Sequence, residues 1–295
     1  MIIVAEITTN HFGSEDLLFK MIEMAQQDGA TAVKLQIRNP YTLYSEHKLD
    51  TPAVNVLDIA HLKSFVQIHD IESQINTLTF RDYRTLLELH CWDRIKTYCD
   101  TVGIIWGVSV LDIESYDFIA TFKPDFIKIP STVSQNTDLY NHVATDWAGT
   151  LVLSNGMMGC REEQMLIDAA VKHNKLSDTG TYILQTTSSY PTAVNDFNLK
   201  VMARYTGLDG IHGGFSDHSS AGHIIPVVAA CALGADMVER HIKLPTTHVE
   251  KDTVADTLGF SNTFSQYCEA IKYTELALGT SVKTVLKSEN HKYST

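Results

Sequence analysis

Eight short runs rich in β-branched and aromatic residues alternate in this sequence with segments of helical character, and this alternation limits the folds open to it. The predicted strands are residues 2–9, 32–37, 104–110, 126–130, 150–154, 182–187, 210–215 and 237–242. The predicted helices are residues 14–28, 81–102, 113–122, 137–147, 161–173, 195–205, 220–233 and 262–279. Eight parallel strand–helix units in about 250 residues are typical of a closed (β/α)8 TIM barrel of the α/β class. An open doubly wound sheet is the alternative, but no Gly-x-Gly-x-x-Gly follows the first strand.

One barrel is predicted over residues 1–279, with an insertion at about 39–79 and a C-terminal tail or linker at 280–295. The insertion follows the second predicted strand. Long loops at that end of a barrel commonly cover the site, so we expect this segment to lie over it.

Composition excludes several classes of partner. Lys and Arg number 23 and Asp and Glu 35, a net charge of −12, which argues against general nucleic-acid binding. The N-terminus has no basic region and Glu6 interrupts its apolar run, so it resembles a strand rather than a signal peptide. No apolar stretch approaches the roughly 18 residues of a membrane span. Five cysteines without a Cys-x-x-Cys pair fit reduced thiols, and we expect a cytoplasmic protein.

Two lysines are predicted to point into the barrel near the carboxyl ends of its strands, where such folds have their active sites. Lys34 shares one strand face with Gln36, while Val33 and Leu35 face the helix layer. Lys128 lies in the same way within the fourth strand. Because a buried ammonium group without a partner is costly, the two lysines predict a phosphate or carboxylate site.

Serine hydroxyls at neighbouring strand ends would add hydrogen bonds to such an anion; these are Ser131, Ser154 and Ser216. The alternative is that each lysine pairs with a core carboxylate, such as Glu6 or Glu239. The sequence leaves both interpretations open.

Two histidines, His218 and His241, end the adjacent seventh and eighth strands. Neighbouring strands lie about 4.8 Å apart, so both imidazoles could reach one metal ion, with Asp217 and Glu239 nearby. Such a site suits Mn²⁺, Mg²⁺, Co²⁺ or Zn²⁺ and would activate a carbonyl as a Lewis acid. His11, His212 and His223 are weaker candidates, and His223 is predicted to be helical.

The sequence resembles the N-acetylneuraminate (sialic acid) synthase family from about residue 3 to residue 279. The matching motifs, in order, are Ala5-Glu6-Ile7-x-x-Asn10-His11-x-Gly13, Gly29-Ala30-x-Ala32-Val33-Lys34-Leu35-Gln36, Ile127-Lys128-Ile129-Pro130-Ser131, Leu153-Ser154-Asn155-Gly156-Met157, Tyr190-Pro191-Thr192, Gly214-Phe215-Ser216-Asp217-His218-Ser219 and Gly234-Ala235-x-x-Val238-Glu239-Arg240-His241. Each motif is weak alone, but the ordered set at barrel spacing is specific.

The resemblance implies a metal-assisted condensation of phosphoenolpyruvate with a sugar aldehyde, without a Schiff base, and hence a transferase of polysaccharide biosynthesis. It implies that phosphoenolpyruvate binds Lys34, Ser109, Lys128, Ser131, Ser154, Ser188 and Ser216. It implies that the sugar binds Glu6, Gln36, Tyr190 and Asp252, and that the catalytic residues are Glu6, Lys34, Gln36 and Lys128. His218 and His241 would hold the divalent metal, Mn²⁺ in the first place, and a homodimer is expected.

The sequence departs from the family pattern at three places. Ser109 replaces the usual threonine and keeps its hydroxyl. The segment 244–259 is slightly longer than the family's Gly-rich segment, and Asp252 or else Asp256 would supply its carboxylate. The small antifreeze-like domain that usually follows is not part of the sequence, so we expect that it is absent or belongs to a longer parent protein.

Three alternatives remain open. A Schiff-base lyase or aldolase would use Lys34 or Lys128. A 3-deoxy-octulosonate phosphate synthase would need a phosphate pocket on the sugar side, for which the sequence shows no spare arginine cluster. A non-catalytic sugar-binding barrel would have lost catalytic positions, whereas both lysines and both histidines are present.

Overall fold

Eight parallel strands form one closed barrel in the computed structural model, which describes residues 1–57, 59–174, 179–205, 207–220, 222–244 and 264–289. Each strand pairs with the next along the chain, and the last pairs with the first. The strands are β1 Ile2–Thr8, β2 Ala32–Ile37, β3 Ile105–Val110, β4 Phe126–Ile129, β5 Thr150–Ser154, β6 Thr181–Thr186, β7 Ile211–Asp217 and β8 Met237–His241. The predicted TIM barrel is confirmed, and the doubly wound alternative is wrong.

Eleven α-helices lie outside the barrel within the described residues. They are α1 Glu15–Asp28, α2 Pro40–Leu43, α3 Glu46–Leu49, α4 Ile59–Ile68, α5 Phe80–Leu86, α6 Trp92–Val102, α7 Ile113–Ala120, α8 Thr137–Asp146, α9 Cys160–His173, α10 Ile225–Ala232 and α11 Phe264–Leu278. Helices α1 and α6–α11 bury their apolar faces against the outer side of the barrel strands. The Ser14 side chain caps the start of α1, and Gly29 ends it at φ 103°, which a residue with a Cβ rarely adopts. Within the described residues, no helix is long and apolar enough to cross a membrane.

Three predicted helices differ from the structure. The helix predicted over residues 81–102 is two helices, α5 and α6, because α5 packs into a cluster with the insertion while α6 packs against the barrel. The segment predicted over residues 195–205 is two 3₁₀ helices, Val194–Asp196 and Leu199–Arg204, with the left-handed Asn198 between them. Helix α10 begins only at Ile225, with Pro226 in its first turn, so His223 lies in the preceding loop.

The segment 39–79 has a hydrophobic cluster of its own. Helices α2, α3 and α4 lie in it, with two short 3₁₀ helices, Ala53–Asn55 and Glu72–Gln74. Leu62 and Phe65 pack there against Phe12 from the β1–α1 loop and Tyr83 from α5. The segment is thus anchored to the carboxyl ends of β1 and β2 rather than extended into solvent.

A layer of apolar side chains and glycines fills the barrel interior below its carboxyl ends. Val4, Ala32, Phe126, Val152, Leu184 and Met237 form one buried cluster there. Gly107 and Gly214 complete the layer, because a Cβ on Gly107 would lie 2.2 Å from the Phe126 ring and one on Gly214 would lie 2.4 Å from Leu184. The barrel is therefore closed below, and only its upper end can hold a ligand.

Candidate active site

The inward positions of the barrel become polar two residues beyond the apolar layer. Because side chains alternate along a strand, the residues two further on face the same interior. These positions, the polar ring, are Glu6, Lys34, Ser109, Lys128, Ser154, Thr186, Ser216 and Glu239, and all are buried. The strand register thus brings together residues that are up to 233 positions apart in sequence, since 239 − 6 = 233.

Two ammonium groups and two carboxylates meet within the polar ring. Lys34 Nζ forms an ion pair with Glu6 and donates to Ser109 Oγ at 2.6 Å. Glu239 joins the two lysines, since its Oε1 lies 2.5 Å from Lys128 Nζ and its Oε2 lies 3.7 Å from Lys34 Nζ. Both lysines therefore pair with core carboxylates, Glu6 and Glu239, which is the alternative that the sequence left open. The two ammonium groups thus converge on the Glu239 carboxylate.

Burial and neighbouring charges shift the ionisation of this cluster in opposite directions. Burial alone would raise the pKa of Glu239, but Lys128 and Lys34 outweigh it and lower the pKa to about 2. Burial lowers the pKa of Lys34 to about 7, although Glu239 opposes this shift. An anionic ligand close to Lys34 would raise this pKa and stabilise the charged form, so the cluster favours binding of an anion.

Serine hydroxyls line the side of the mouth formed by β4, β5 and β6. Ser188 Oγ donates to Ser131 Oγ at 2.9 Å. Gly156 permits this approach, because a Cβ there would lie 2.5 Å from Ser188 Oγ. The buried Ser154 Oγ has no hydrogen-bond partner within the described residues. A buried hydroxyl of this kind is available to a ligand that enters the mouth.

His218 and His241 lie together at the ends of β7 and β8, with ring centroids 5.6 Å apart. His218 Nδ1 lies 2.8 Å from the Thr187 carbonyl oxygen, which can only accept, so Nδ1 carries the proton and Nε2 keeps its lone pair. Burial lowers the pKa of His218 to about 4, and burial with the nearby His218 lowers the pKa of His241 well below its usual value. Both rings are thus neutral, the form that binds metals.

Two neutral imidazoles, one of them oriented by a backbone carbonyl, fit a divalent cation. Within the described ranges, no group of three or more His, Cys, Asp or Glu side chains could hold a metal ion. A cation held here would therefore have two described protein ligands, and water or substrate would complete its coordination.

Asp217 points away from the mouth. Its Oδ2 accepts from Arg240 Nη1 at 3.1 Å, and both side chains are fully buried outside the barrel. This follows from strand alternation, since Ser216 and His218 face inward when Asp217 faces outward. Asp217 lies beside the histidines in sequence but is not placed to share a ligand with them.

Two further predicted site residues, Tyr190 and Gln36, lie around the rim. The Tyr190 ring packs 4.2 Å from the His218 ring, centroid to centroid, and is 39% exposed, so it can contact a ligand from above. Gln36 lies further out on β2 and accepts a hydrogen bond from Arg38. Asp252 and Asp256 lie outside the described residues.

A second cavity, of about 380 Å³, opens beside the mouth at the carboxyl ends of β2 and β3. We call it the side cavity. Gln36, Arg38, Arg84, Glu88 and Glu114 are among its lining residues. The sequence offered no signal for it, because Arg38 and Arg84 lie 46 residues apart, as 84 − 38 = 46, and neither belongs to a recognisable motif. The structure nevertheless places Arg38 and Arg84 in the lining of one cavity.

Comparison with known proteins identifies the family. A model of the NeuB family matches residues 21–283. The chain belongs to the NeuB family. The family relationship predicted from the motifs is thus confirmed.

Two relatives of this NeuB family chain span nearly all of it. Pseudaminic acid synthase of Campylobacter jejuni is 29% identical over 277 residues, which cover 94% of this chain and 74% of that protein. N-acetylneuraminate-9-phosphate synthase of Homo sapiens is 27% identical over 288 residues, covering 97% and 74%. The solved structure of N-acetylneuraminic acid synthetase from Leptospira borgpetersenii superimposes with a TM-score of 0.74 at 21% identity, over 99% of this chain and 90% of that one. This last similarity supports the barrel fold.

Proposed function

We propose that this protein condenses phosphoenolpyruvate with a sugar aldehyde to form a nonulosonic or related 3-deoxy-2-keto acid and phosphate. It is an enzyme of the transferase class, as its relatives are named synthases. The observation that carries the proposal is the convergence of Lys34 and Lys128 on the Glu239 carboxylate within the polar ring, with serine hydroxyls around them. Phosphoenolpyruvate carries a phosphate and a carboxylate, which are the anions that such a cluster binds.

Binding of phosphoenolpyruvate would exchange partners within the polar ring. Lys34 and Lys128 would donate to its anionic groups, and Ser109, Ser131, Ser154, Ser188 and Ser216 would add hydroxyl hydrogen bonds. The exchange releases Glu6 from its pair with Lys34, so that this carboxylate can take up a proton or orient water. The charged residues of the polar ring, which pair with one another without the ligand, are in this way already placed for the reaction.

The proposed reaction forms one C–C bond and one C–O bond to water, and it breaks the C–O bond to the phosphate. The protons released by water go to the aldehyde oxygen and to the departing phosphate. C3 of phosphoenolpyruvate bonds to the aldehyde carbon, and the aldehyde oxygen takes up a proton. Water adds at C2, and phosphate leaves from C2 with the bridging oxygen. We propose that Glu6 and Gln36 bind the sugar and the attacking water at the β1–β2 side, while Tyr190 covers the aldehyde beside His218.

We propose that His218 and His241 hold a divalent metal, with Mn²⁺ the first choice. Such an ion would supply Lewis-acid polarisation of the aldehyde. The histidines are suited to this role, because both are neutral and the Thr187 carbonyl fixes the orientation of His218. A cytoplasmic homodimer acting in polysaccharide biosynthesis is part of the same proposal.

A Schiff-base lyase is the second candidate, and one observation favours it. Burial lowers the pKa of Lys34 to about 7, which would make its amine a better nucleophile near neutral pH. The ion pairs of Lys34 and Lys128 oppose it, because an amine held as an ammonium ion is not nucleophilic. The named synthases among the relatives also favour the condensation.

Phosphate release from phosphoenolpyruvate tests the proposal directly. It would be measured with Mn²⁺ or with EDTA, across a panel of aldoses that includes N-acetylmannosamine. We expect release that requires both the metal and one sugar. Lys128→Met should abolish it, whereas Lys96→Met, which alters an exposed pair with Asp100, should not. Borohydride trapping of a substrate on the protein with EDTA present would instead favour the Schiff-base lyase.

A further inference from the structure

The side cavity is lined by two arginine side chains that form no ion pair with a carboxylate of the described residues. Arg84 from α5 is only 9% exposed, and its buried Nε has no hydrogen-bond partner within the described residues. In the same part of the chain, neither Arg84 nor Arg38 forms an ion pair with a carboxylate. Because burying an unpaired guanidinium is costly, a fold that keeps one in a cavity favours an anionic ligand there.

Neighbouring groups show the concentration of positive charge. Arg38 Nη1 donates to Tyr44 Oη at 3.3 Å. Burial alone would raise the pKa of Tyr44, but Arg38, Arg84 and Lys48 together lower it. Burial and the charge of Arg38 also lower the pKa of Arg84. The two guanidinium groups are therefore close enough to repel each other, and one anion between them would relieve that repulsion.

The acidic residues that line the side cavity do not supply the negative charge between the two guanidinium groups. Glu88 and Glu114 are exposed to solvent at its rim. Glu114 accepts a hydrogen bond from Asn39, and neither carboxylate is within ion-pair distance of Arg38 or Arg84 in the described structure. The arginines thus remain available to a ligand.

The side cavity shares one residue, Gln36, with the proposed sugar side of the active site. Gln36 lines it and lies two residues beyond Lys34 on β2, facing the same interior. Arg38 lies four residues beyond Lys34, about 13 Å along an extended chain. That distance is comparable with an extended sugar chain bearing a terminal acidic group.

We propose that Arg38 and Arg84 form an oxyanion subsite for the acceptor, so that the sugar aldehyde used by this protein carries a phosphate or carboxylate at the end remote from its aldehyde. This inference rests on the proposed condensation and specifies its acceptor. Arginine suits the task, because its planar fork binds two oxygens of one phosphate or carboxylate. Arg38 and Arg84 are then specificity-determining residues rather than catalytic ones.

Acceptors that differ only at the terminal carbon test the subsite. The probes are N-acetylmannosamine, its 6-phosphate and its 6-carboxylate, with the corresponding glucose, galactose and altrose series. Equilibrium dialysis with phosphoenolpyruvate and EDTA, which prevents turnover, measures binding to the protein, and phosphate release with Mn²⁺ measures turnover. We expect one anionic acceptor to bind at least about tenfold more tightly than its neutral counterpart. The preferred member identifies the anion as phosphate or carboxylate.

Variants connect this preference to the two arginines. Arg84→Gln should reduce the anionic-to-neutral ratio toward one, and Arg84→Lys should keep part of it. The control is Arg94→Gln on α6, whose exposed guanidinium pairs with Glu15 and does not line the cavity. It should leave the ratio as in the parent protein. Circular dichroism confirms that each variant is folded before binding is compared.

Two results would overturn the subsite and are distinct from failure of the proposed reaction. Neutral acceptors that bind as tightly as anionic ones in every series would reject it. An Arg84→Gln protein that keeps the full anionic preference would also reject it. If no acceptor supports phosphate release, the condensation fails, but the dialysis ratios still decide whether the two arginines bind an anionic sugar.

Discussion

The ion pair between Arg240 and Asp217 joins β8 to β7 directly behind the two histidines, and its loss should reduce stability strongly. The side chains of Arg240 and Asp217 are 1% and 0% exposed. The same guanidinium donates to Ser219 Oγ at 3.0 Å and to the Ser220 carbonyl oxygen at 3.1 Å. Replacing Arg240 with methionine keeps much of the volume but leaves the Asp217 carboxylate buried without a counter-charge.

The size of the effect follows from that orphaned charge. Removing one partner of a buried pair costs about 3–5 kcal/mol. For a chain of this length each kcal/mol corresponds to roughly 2 °C of melting temperature, so we expect Arg240→Met to melt about 6–10 °C lower. The double variant Asp217→Asn/Arg240→Met removes the charge that the single variant leaves behind. It should therefore recover part of the loss.

Thermal unfolding followed by circular dichroism at neutral pH measures the series. The control is Arg94→Met, which breaks an arginine–carboxylate pair of 2.6 Å whose side chains are 68% and 34% exposed. An exposed pair contributes at most about 1 kcal/mol, so this variant should melt within about 2 °C of the parent. The reasoning is refuted if Arg240→Met melts with the control, or if the double variant is less stable than Arg240→Met.

Three further predictions concern packing, pH and metal. Gly107→Ala should lower the free energy of unfolding, measured with denaturant, by about 1–3 kcal/mol, because the added Cβ would lie 2.2 Å from the Phe126 ring. A variant as stable as the parent would show that the interior layer is loosely packed. Burial lowers the pKa of His11 to about 4 in the folded protein, so its stabilising contribution is complete above about pH 6.5 and is lost as pH falls from there toward 4. This contribution of His11 to the free energy of unfolding is about 3 kcal/mol. His11→Asn should therefore make the free energy of unfolding depend less steeply on pH in that range. An unchanged slope would contradict the prediction. Mn²⁺ at one hundred times its dissociation constant should raise the free energy of unfolding by about 2.7 kcal/mol. His218→Ala should abolish this increase. An increase that remains in the variant would place the metal elsewhere.

Strand positions were largely predictable, because each strand is a short apolar run and each is fully buried between two layers. The ends of the helices were less predictable from the sequence. No glycine or proline interrupts residues 81–102, yet the chain bends where α5 turns toward Phe12 and α6 turns toward the barrel. Two competing hydrophobic clusters decide that break, and neither is visible in a local window of sequence.

The inward direction of Lys34 and Lys128 also followed from strand alternation, since their neighbours on each strand are apolar. The partners of the two lysines did not follow from strand alternation. The sequence allowed either an anion site or pairs with core carboxylates, and only the barrel register brings Glu239 between the two lysines. For Asp217 the sequence was misleading. Its position beside His218 suggested a residue near the metal site, whereas strand alternation turns its side chain outward to Arg240.

The sequence alone thus determined the barrel, the family and the inward polar residues, because these depend on periodicity along one strand or on short motifs. The tertiary structure alone decided which of those residues touch, and it revealed the pair of Arg38 and Arg84. Those two arginines come from a strand end and from a helix beyond the 39–79 segment. Their approach depends on how that segment packs against Phe12, a long-range contact that no local pattern encodes.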